Sequence, residues 1–299
     1  MIIVKYRVFF FWLTGIILAG SIGAIVYFGL PLSIDFTGGS LTQIGYPAGR
    51  PPLSGIQSEV SQLSLGTVSV RESGTNAVVI RSRTLTPEEH GAVLAAVSKN
   101  ASTTELEYNS VGPSLGGEFA SKALWALLAV TLAIALYVAF AFRKVSRPIP
   151  SWVYGVTVIA MLVHDLIVPA GFYAILAHYT AVDVDALFVT ALLALLGYSV
   201  NDTIVVFDRV REHLAYNLKN NVKEDFELTI GKSISETLTR SVNTSLTTAL
   251  ALAVLVLFGA IATRDFALVM LVGVIAGTYS SILLAAPLLI PFARWYVKK

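Results

Sequence analysis

The chain contains no cysteine and carries little charge. Of its 299 residues, 13% are Asp, Glu, Lys or Arg and 55% are hydrophobic, with a mean hydropathy of +0.73. The lack of cysteine excludes disulfides, thiolate catalysis and cysteine-ligated metals, and leaves the redox compartment open. The scarcity of charge excludes a soluble enzyme, since soluble domains carry about 25% charged and about 45–50% apolar residues. A disordered or fibrous chain is excluded too, because both need low hydrophobicity. The net charge of +2 is the small balance of 21 basic over 19 acidic residues. It carries no argument for nucleic acid, and no nucleic-acid partner is expected. What is left is a polytopic membrane protein surrounded by lipid.

A membrane helix needs about 20 predominantly apolar residues. Residues 8–30 run without a charge. That stretch exceeds the about 7–15 residues of a signal-peptide core and reads as an uncleaved anchor. Further spans are expected at 123–142, 152–177, 186–207, 242–261 and 266–292. Pro169 falls inside the third and is expected to kink it. Six spans put both termini on one side of the membrane.

Orientation follows from Lys and Arg near short loops. Lys5 and Arg7 precede span one, and Arg143, Lys144 and Arg147 lie between spans two and three. Arg209, Arg211, Lys219, Lys223, Lys232 and Arg240 lie between four and five, and Arg294, Lys298 and Lys299 follow six. The short loops on the opposite side hold only Arg264. The termini are therefore expected in the cytoplasm, and the segment between spans one and two outside it. The chain divides into residues 1–30 (cytoplasmic N-terminus and span one), 31–121 (an extracytoplasmic domain) and 122–299 (spans two to six).

The segment 31–121 is rich in Ser, Thr, Gly and Glu. Alternation predicts strands over 40–46, 67–73, 77–82 and 103–108, with a turn around Gly74, Thr75 and Asn76. Ile56, Val60 and Leu63 predict a helix over 53–65. Thr86-Pro87-Glu88-Glu89 is a capping box with proline at the first helical position, opening a helix to about residue 98. The order β-α-β-β-α-β is that of a ferredoxin-like α+β domain. Its histidine, His90, is expected as a solvated surface residue. No set of nucleophile, base and orienting group is visible, and neither catalysis nor a metal site is expected.

A carboxylate at the centre of a span costs about 2.5–3.5 kcal/mol on insertion scales, which makes it a functional candidate. Asp165 in span three, beside His164, and Asp202 in span four, beside Asn201 and Thr203, are the two cases. The start of span five is unusually polar, with Asn243, Thr244, Ser245, Thr247 and Thr248 behind Arg240. Antiparallel spans bring this cluster to about the depth of Asp202. The expectation is a hydrogen-bonded pocket walled by spans three, four and five. Asp202 and Arg240 there either move a proton or form a structural ion pair. His164 either joins a relay or is satisfied by a neighbouring helix. Gly15, Ala19 and Gly23 in span one, and Gly273, Gly277, Ser281 and Ala285 in span six, form stripes that let helices approach closely. Packing within the chain is the default for both stripes, and packing against another subunit the alternative.

Five segments resemble one known family. GYSVNDTIVVFDRVRE, from Gly197 to Glu212, resembles the fourth-span motif of the SecF family of protein-export subunits. SIDFTGGS from Ser33, VGPSLGGEF from Val111, MLVHDLIVPAG from Met161 and SISETLTRSVNTSLTT from Ser233 resemble further family motifs, in the family's order.

The resemblance implies a fold related to the resistance-nodulation-division transporters, and a location in the bacterial inner membrane. It implies SecD as a partner supplying a second set of six spans, with the SecYEG channel, YajC, YidC and the translocating preprotein as further contacts. SecA would drive the preprotein in, and the complex would draw it outward on the proton gradient, or on sodium in some relatives, with no bound cofactor. The resemblance makes Asp202 the proton carrier, with Asn201 beside it, and Arg240 a second essential residue. Asp165 matches the acid of a third-span His-Asp pair. Asp35, Gly38 and Gly39 match a motif near the membrane surface, where a tight glycine turn is the competing reading. Two other functions fit the composition: a subunit of a small-molecule efflux transporter, and a passive assembly scaffold.

Overall fold

The computed structural model describes residues 2–99, 101–143, 148–180 and 182–297. Lys144, Arg147, Lys298 and Lys299, four of the orienting basic residues, lie outside the described residues. In chain order the elements are α1 (Ile2–Lys5), α2 (Arg7–Phe28), α3 (Ile34–Thr37), β1 (Gly39–Gly45), α4 (Leu53–Ser61), β2 (Ser69–Ser73), β3 (Ala77–Ser82), α5 (Pro87–Val97), β4 (Thr104–Val111), α6 (Pro113–Ala141), α7 (Ser151–Thr180), α8 (Ala186–Lys219), α9 (Phe226–Phe258), α10 (Ile261–Ser280), a π-helical turn (Ser281–Ala285) and α11 (Ala286–Val297). They form two compact units. A helical unit comprises Met1–Gly29, Trp125–Ile175 and Leu187–Lys299, and a sheet unit comprises Leu30–Leu124 with Leu176–Ala186.

Six helical stretches among the described residues are long and apolar enough to cross a membrane, one at each expected span. The helices outrun their apolar windows, because backbone hydrogen bonding does not stop where side-chain polarity changes. Thus α8 continues to Lys219 and α9 begins at Phe226. The centre of the helical unit is made by α7, α8 and the sixth span. About half of each span's apolar window is buried (56%, 50% and 56%), against 6% for α2 and 11% for α6 and α9.

Small residues set the closest approaches in this unit. A Cβ on Gly273 would lie 2.2 Å from Leu195 Cδ2, and one on Gly277 would lie 2.7 Å from Ser199 Oγ, so α10 rests on α8 through bare backbone. Ser281 and Ala285 are buried as well, which bears out intrachain packing for the span-six stripe. Span one corrects the expectation. Gly15, Ala19 and Gly23 are exposed, and nothing lies within 4 Å of a Cβ on either glycine. The close contact of α2 is on its other side, where a Cβ on Gly171 of α7 would come within 2.6 Å of Ser21 Cα.

The sixth span is not one uniform helix. Pro287 has no N–H to give Leu283, and its ring crowds that carbonyl. The turn before it widens to a π-helix over Ser281–Ala285. Such turns recur at functional sites.

In the sheet unit the strand order is β2-β3-β1-β4, all neighbours antiparallel. Alternate residues of β1 are buried. Ile44, Tyr46, Val78 and Ile80 pack with Ile56 and Val60 of α4 and Val93 and Val97 of α5 as one core. The capping box forms as expected: Thr86 Oγ1 accepts from Glu89 N–H at 3.3 Å, and Thr86 N–H donates to the Glu89 carboxylate at 2.9 Å. Arg83 pairs with the same carboxylate. Together, Arg83 first and the Thr86 backbone second, they hold Glu89 down at about 2. His90 corrects a second expectation. Its side chain is mostly covered, stacked on Tyr108 of β4 at 3.8 Å between centroids and 3.1 Å from Glu105.

Gly38 and Gly39 turn the chain from α3 into β1 with φ of 72° and 124°, which favours glycine. A Cβ on Gly38 would lie 2.5 Å from Pro113 Cα, and one on Gly39 would lie 2.6 Å from Ser82 O. A Cβ on Gly116 would in turn meet Gly38 N at 2.6 Å. Two of the motifs legible in the sequence therefore pack backbone on backbone.

The connection between α7 and α8 belongs to this unit. Val184 N–H donates to Pro31 O and Ser33 N–H to Val184 O, both at 2.8 Å, forming a parallel bridge between Leu32 and Val184. Asp183 is buried between Arg71, at 3.4 Å, and Arg81. Burial and the like charge of Arg71 pull the Arg81 guanidinium down to about 10. Asp35 accepts from Ala186 N–H at 2.9 Å, satisfying a free donor in the first turn of α8.

Candidate functional site

The buried polar side chains of the helical unit form two groups on α8. Ser199 and Thr203 lie one turn apart and share a face, and Asp202 follows Ser199 by three residues, so one helix carries both groups.

The first group surrounds Asp165, which is fully buried. His164 and Asp165 are consecutive on α7, about 100° apart round the helix. Asp165 Oδ1 lies 2.8 Å from His164 Nδ1, and its Oδ2 accepts from Ser199 Oγ of α8. His164 Nε2 lies 2.6 Å from the Tyr279 hydroxyl of α10, whose ring stands edge-on to the imidazole. The chain of contacts Tyr279–His164–Asp165–Ser199 joins spans six, three and four. Such bonding is what a carboxylate needs inside an apolar bundle, where an unpartnered one is prohibitive. The expected pocket had spans three, four and five as walls. Around Asp165 the third wall is span six. Of the two readings for His164, the imidazole is bonded on both sides, to its neighbour Asp165 and to Tyr279.

The π turn adds to this group. Ser281 Oγ lies 2.8 Å from Thr203 Oγ1 and donates to Ser199 O at 3.5 Å. Ser199 and Thr203 thereby link the surroundings of Asp165 to the residue next to Asp202.

The second group is Asp202 with α9. Asp202 is 5% exposed and accepts from Ser245 Oγ at 3.1 Å. One turn away, Ser241 Oγ is buried with no hydrogen-bond partner among the described residues. The rest of the polar cluster on α9 does not turn inward. Thr244, Thr247 and Thr248 bond to backbone carbonyls of their own helix. Asn201, Arg240, Asn243 and Thr247 are exposed on the surface of this chain. Arg240 makes no ion pair with Asp202 within 4 Å. Its charge acts on Asp202 through space. The structural ion pair considered for these two residues is therefore absent. Asp35, Gly38 and Gly39 belong to the sheet unit, not to the helical unit that carries both groups.

Tyr279, Ser199 and Ser281 were missed by sequence reasoning. Ser281 was legible only as a member of the small-residue stripe, and Tyr279, about 200° round the helix from Gly277, carried no signal. Among the described residues no cluster of His, Asp and Glu fit to hold a metal occurs.

Six apolar helices with hydrogen-bonded carboxylates between them define a membrane protein of the transport class. The family model of the protein export membrane protein SecD/SecF, C-terminal region, matches residues 91–295. Protein translocase subunit SecF of Thermobaculum terrenum is 37% identical over 302 aligned residues, covering 96% of this chain and 92% of that one. The same subunit of Anaerolinea thermophila is 38% identical, with the same coverage. The crystal structure of SecDF from Thermus thermophilus, a translocon-associated membrane protein, superposes with a TM-score of 0.83 at 29% identity. The match takes in 97% of this chain and 38% of that one, so the chain corresponds to about two fifths of the SecDF polypeptide. The chain belongs to the SecF family of protein translocase subunits, and it is an integral membrane protein with a role in protein translocation.

Proposed function

We propose that the chain works as the SecF half of a SecDF-type complex, drawing a preprotein outward on the proton gradient, with sodium as the alternative ion. Asp202 is the carrier, Arg240 and Asn201 act beside it, and Asp165 serves the same relay from span three. The reading is carried by one observation: among the described residues, the buried Asp202 carboxylate is held by one neutral hydroxyl, Ser245, and has no Lys or Arg within ion-pair reach. A group whose only role was structural would be better served by a direct partner.

A proton crossing 100 mV releases about 2.3 kcal/mol. Protonating Asp202 on one side and releasing the proton on the other would supply a difference in free energy between two conformations, and that difference is what drives a change of shape. No covalent chemistry is needed, and the chain is not an enzyme in this reading.

Asn201, Arg240, Asn243 and Thr247 are exposed on otherwise apolar helices. Lipid would leave Asn201, Arg240 and Asn243 unsatisfied, whereas the Thr247 hydroxyl is bonded to its own helix. A second membrane subunit covering them supports SecD as the partner, in keeping with the likeness to SecDF. SecYEG, YajC, YidC and the preprotein follow from the same assembly. The strand order supports a ferredoxin-like fold for residues 31–121. The distribution of Lys and Arg supports its position outside the cytoplasm, with both termini inside and the inner membrane as the location.

The test is Asp202→Asn, assembled with its partner at normal level, in membrane vesicles with an imposed proton gradient. Loss of gradient-driven translocation, with ATP-driven insertion intact, is the expected result. Translocation at the ordinary rate would remove Asp202 from the carrier role.

A further inference from the structure

Asp183 has no part in the relay and does not belong to any motif read from the sequence. It is nevertheless a buried acid of the sheet unit with two cationic partners. It is 8% exposed and gripped by two arginines from neighbouring strands, Arg71 of β2 and Arg81 of β3. Its neighbour Val184 is fastened by two 2.8 Å backbone bonds to Pro31 and Ser33. Two residues further on, Ala186 is fastened by Asp35 at 2.9 Å. Residues 183–186 are thus tied at three successive points to the sheet unit. They also continue directly into α8, which carries Asp202, and follow α7, which carries Asp165.

Breaking one partner from a buried ion pair strands the others in a medium that does not solvate them. Here the stranded group would be the largely buried Arg81 guanidinium, left beside the like charge of Arg71, whose side chain reaches solvent. A surface loop whose only task was to connect two helices would not need such an arrangement, since connections of this kind are ordinarily solvated and variable. The holding is also stiff. The backbone bridge fixes the segment along the chain, and the ion contacts fix it sideways against β2 and β3.

We propose that Asp183 is a positioning residue for translocation: its grip by Arg71 and Arg81 makes residues 183–186 a strap that carries displacement of α7 and α8 to the sheet unit. This rests on the proton-carrier reading of Asp202. Protonation moves the helices, and the strap makes the sheet unit follow. A strap that slips leaves proton passage in place and wastes the stroke.

The test uses the full complex in vesicles, with proton flux and gradient-driven translocation measured on the same preparation. Asp183→Asn keeps the shape and removes the charge. It is expected to lower translocation at least about tenfold, the change in an equilibrium that about 1.4 kcal/mol produces, while proton flux persists. Leu32→Cys with Val184→Cys then supplies a covalent strap. Paired strands lie about 4.7–4.9 Å apart, inside the about 4.4–6.8 Å that a disulfide spans between Cα atoms. With no natural cysteine to interfere, oxidation of this pair in the Asp183→Asn background is expected to restore translocation, and reduction to remove it again. Ordinary translocation by Asp183→Asn would overturn the proposal. So would equal loss of flux and translocation that oxidation does not relieve. Asp202→Asn, run alongside, separates the two readings. Flux retained there defeats the carrier role of Asp202, whereas the strap is judged by Asp183→Asn and its rescue.

Discussion

The Tyr279 hydroxyl and His164 Nε2 lie 2.6 Å apart, joining helices whose partners are 115 residues apart in the chain. This contact occupies the second nitrogen of an imidazole whose first already faces Asp165. It therefore fixes which way the ring turns and how the carboxylate beside it is presented.

Tyr279→Phe keeps the ring packing and removes this one contact. It leaves a buried imidazole nitrogen unpartnered, at a cost of about 1–3 kcal/mol. The detergent-solubilised complex should unfold at lower temperature, and gradient-driven translocation should fall with it. A variant as stable as the parent would show that His164 finds another partner.

Gly273→Ala places a methyl group 2.2 Å from Leu195, where α10 meets α8. Overpacking of this kind costs about 1–3 kcal/mol. Gly15→Ala and Gly23→Ala meet nothing within 4 Å in this chain, so they should leave its own folding unchanged. Thermal unfolding of the three variants should separate them. If Gly15→Ala weakens recovery of a partner subunit without lowering stability, the exposed stripe of α2 is a contact with that partner.

Gly38→Ala puts a side chain at φ 72° and 2.5 Å from Pro113 Cα. Neither strain can be relieved by a rotamer change, since backbone faces backbone. Limited proteolysis should cut the sheet unit of this variant faster than that of the parent. Equal rates would mean that the Gly38–Gly116 approach is not needed for its packing.

The Glu89 carboxylate, held at about 2 against an ordinary 4.5, ties acidity to the order of α5. A folded-state value below the unfolded one stabilises the fold above pH 4.5, and that contribution is lost as pH falls from 4.5 toward 2. Amide exchange in the first turn of α5 should accelerate across that window. Thr86→Ala, which removes a cap worth about 1 kcal/mol, should give fast exchange already at neutral pH.

The spans and the small sheet were legible because each rests on a local signal. Residues 77–82 alternate, and β3 occupies those positions; Thr86 to Glu89 spell a cap, and the cap forms. Asp165 and Asp202 stood out because charge inside an apolar run is costly wherever it occurs. Their surroundings were not legible, because which face of span six meets spans three and four is settled by packing. That is why Tyr279 and Ser281 were missed, and why Arg240 was drawn too close to Asp202. Asp183 was missed for a related reason. An acid in a connecting loop has no periodicity to mark it, and only the folded sheet brings Arg71 and Arg81 to it. His90 sits on a short helix whose pattern does not reveal that β4 passes beneath it.

The π turn at Ser281–Ala285 has a rotational consequence. Each α-helical residue advances the chain about 100° round the axis, and a π turn spends one residue more than an α turn on nearly the same circuit. Everything after Ala285 is therefore indexed about one residue away from where an unbroken helix would put it. With that offset, Leu289, Ile290 and Ala293 face inward and Trp295 faces out. A single deletion within Ser281–Ala285 would let an ordinary α turn make the same circuit and leave the inward residues of the last turns facing inward, whereas a single insertion would rotate them by about 100° to a different face.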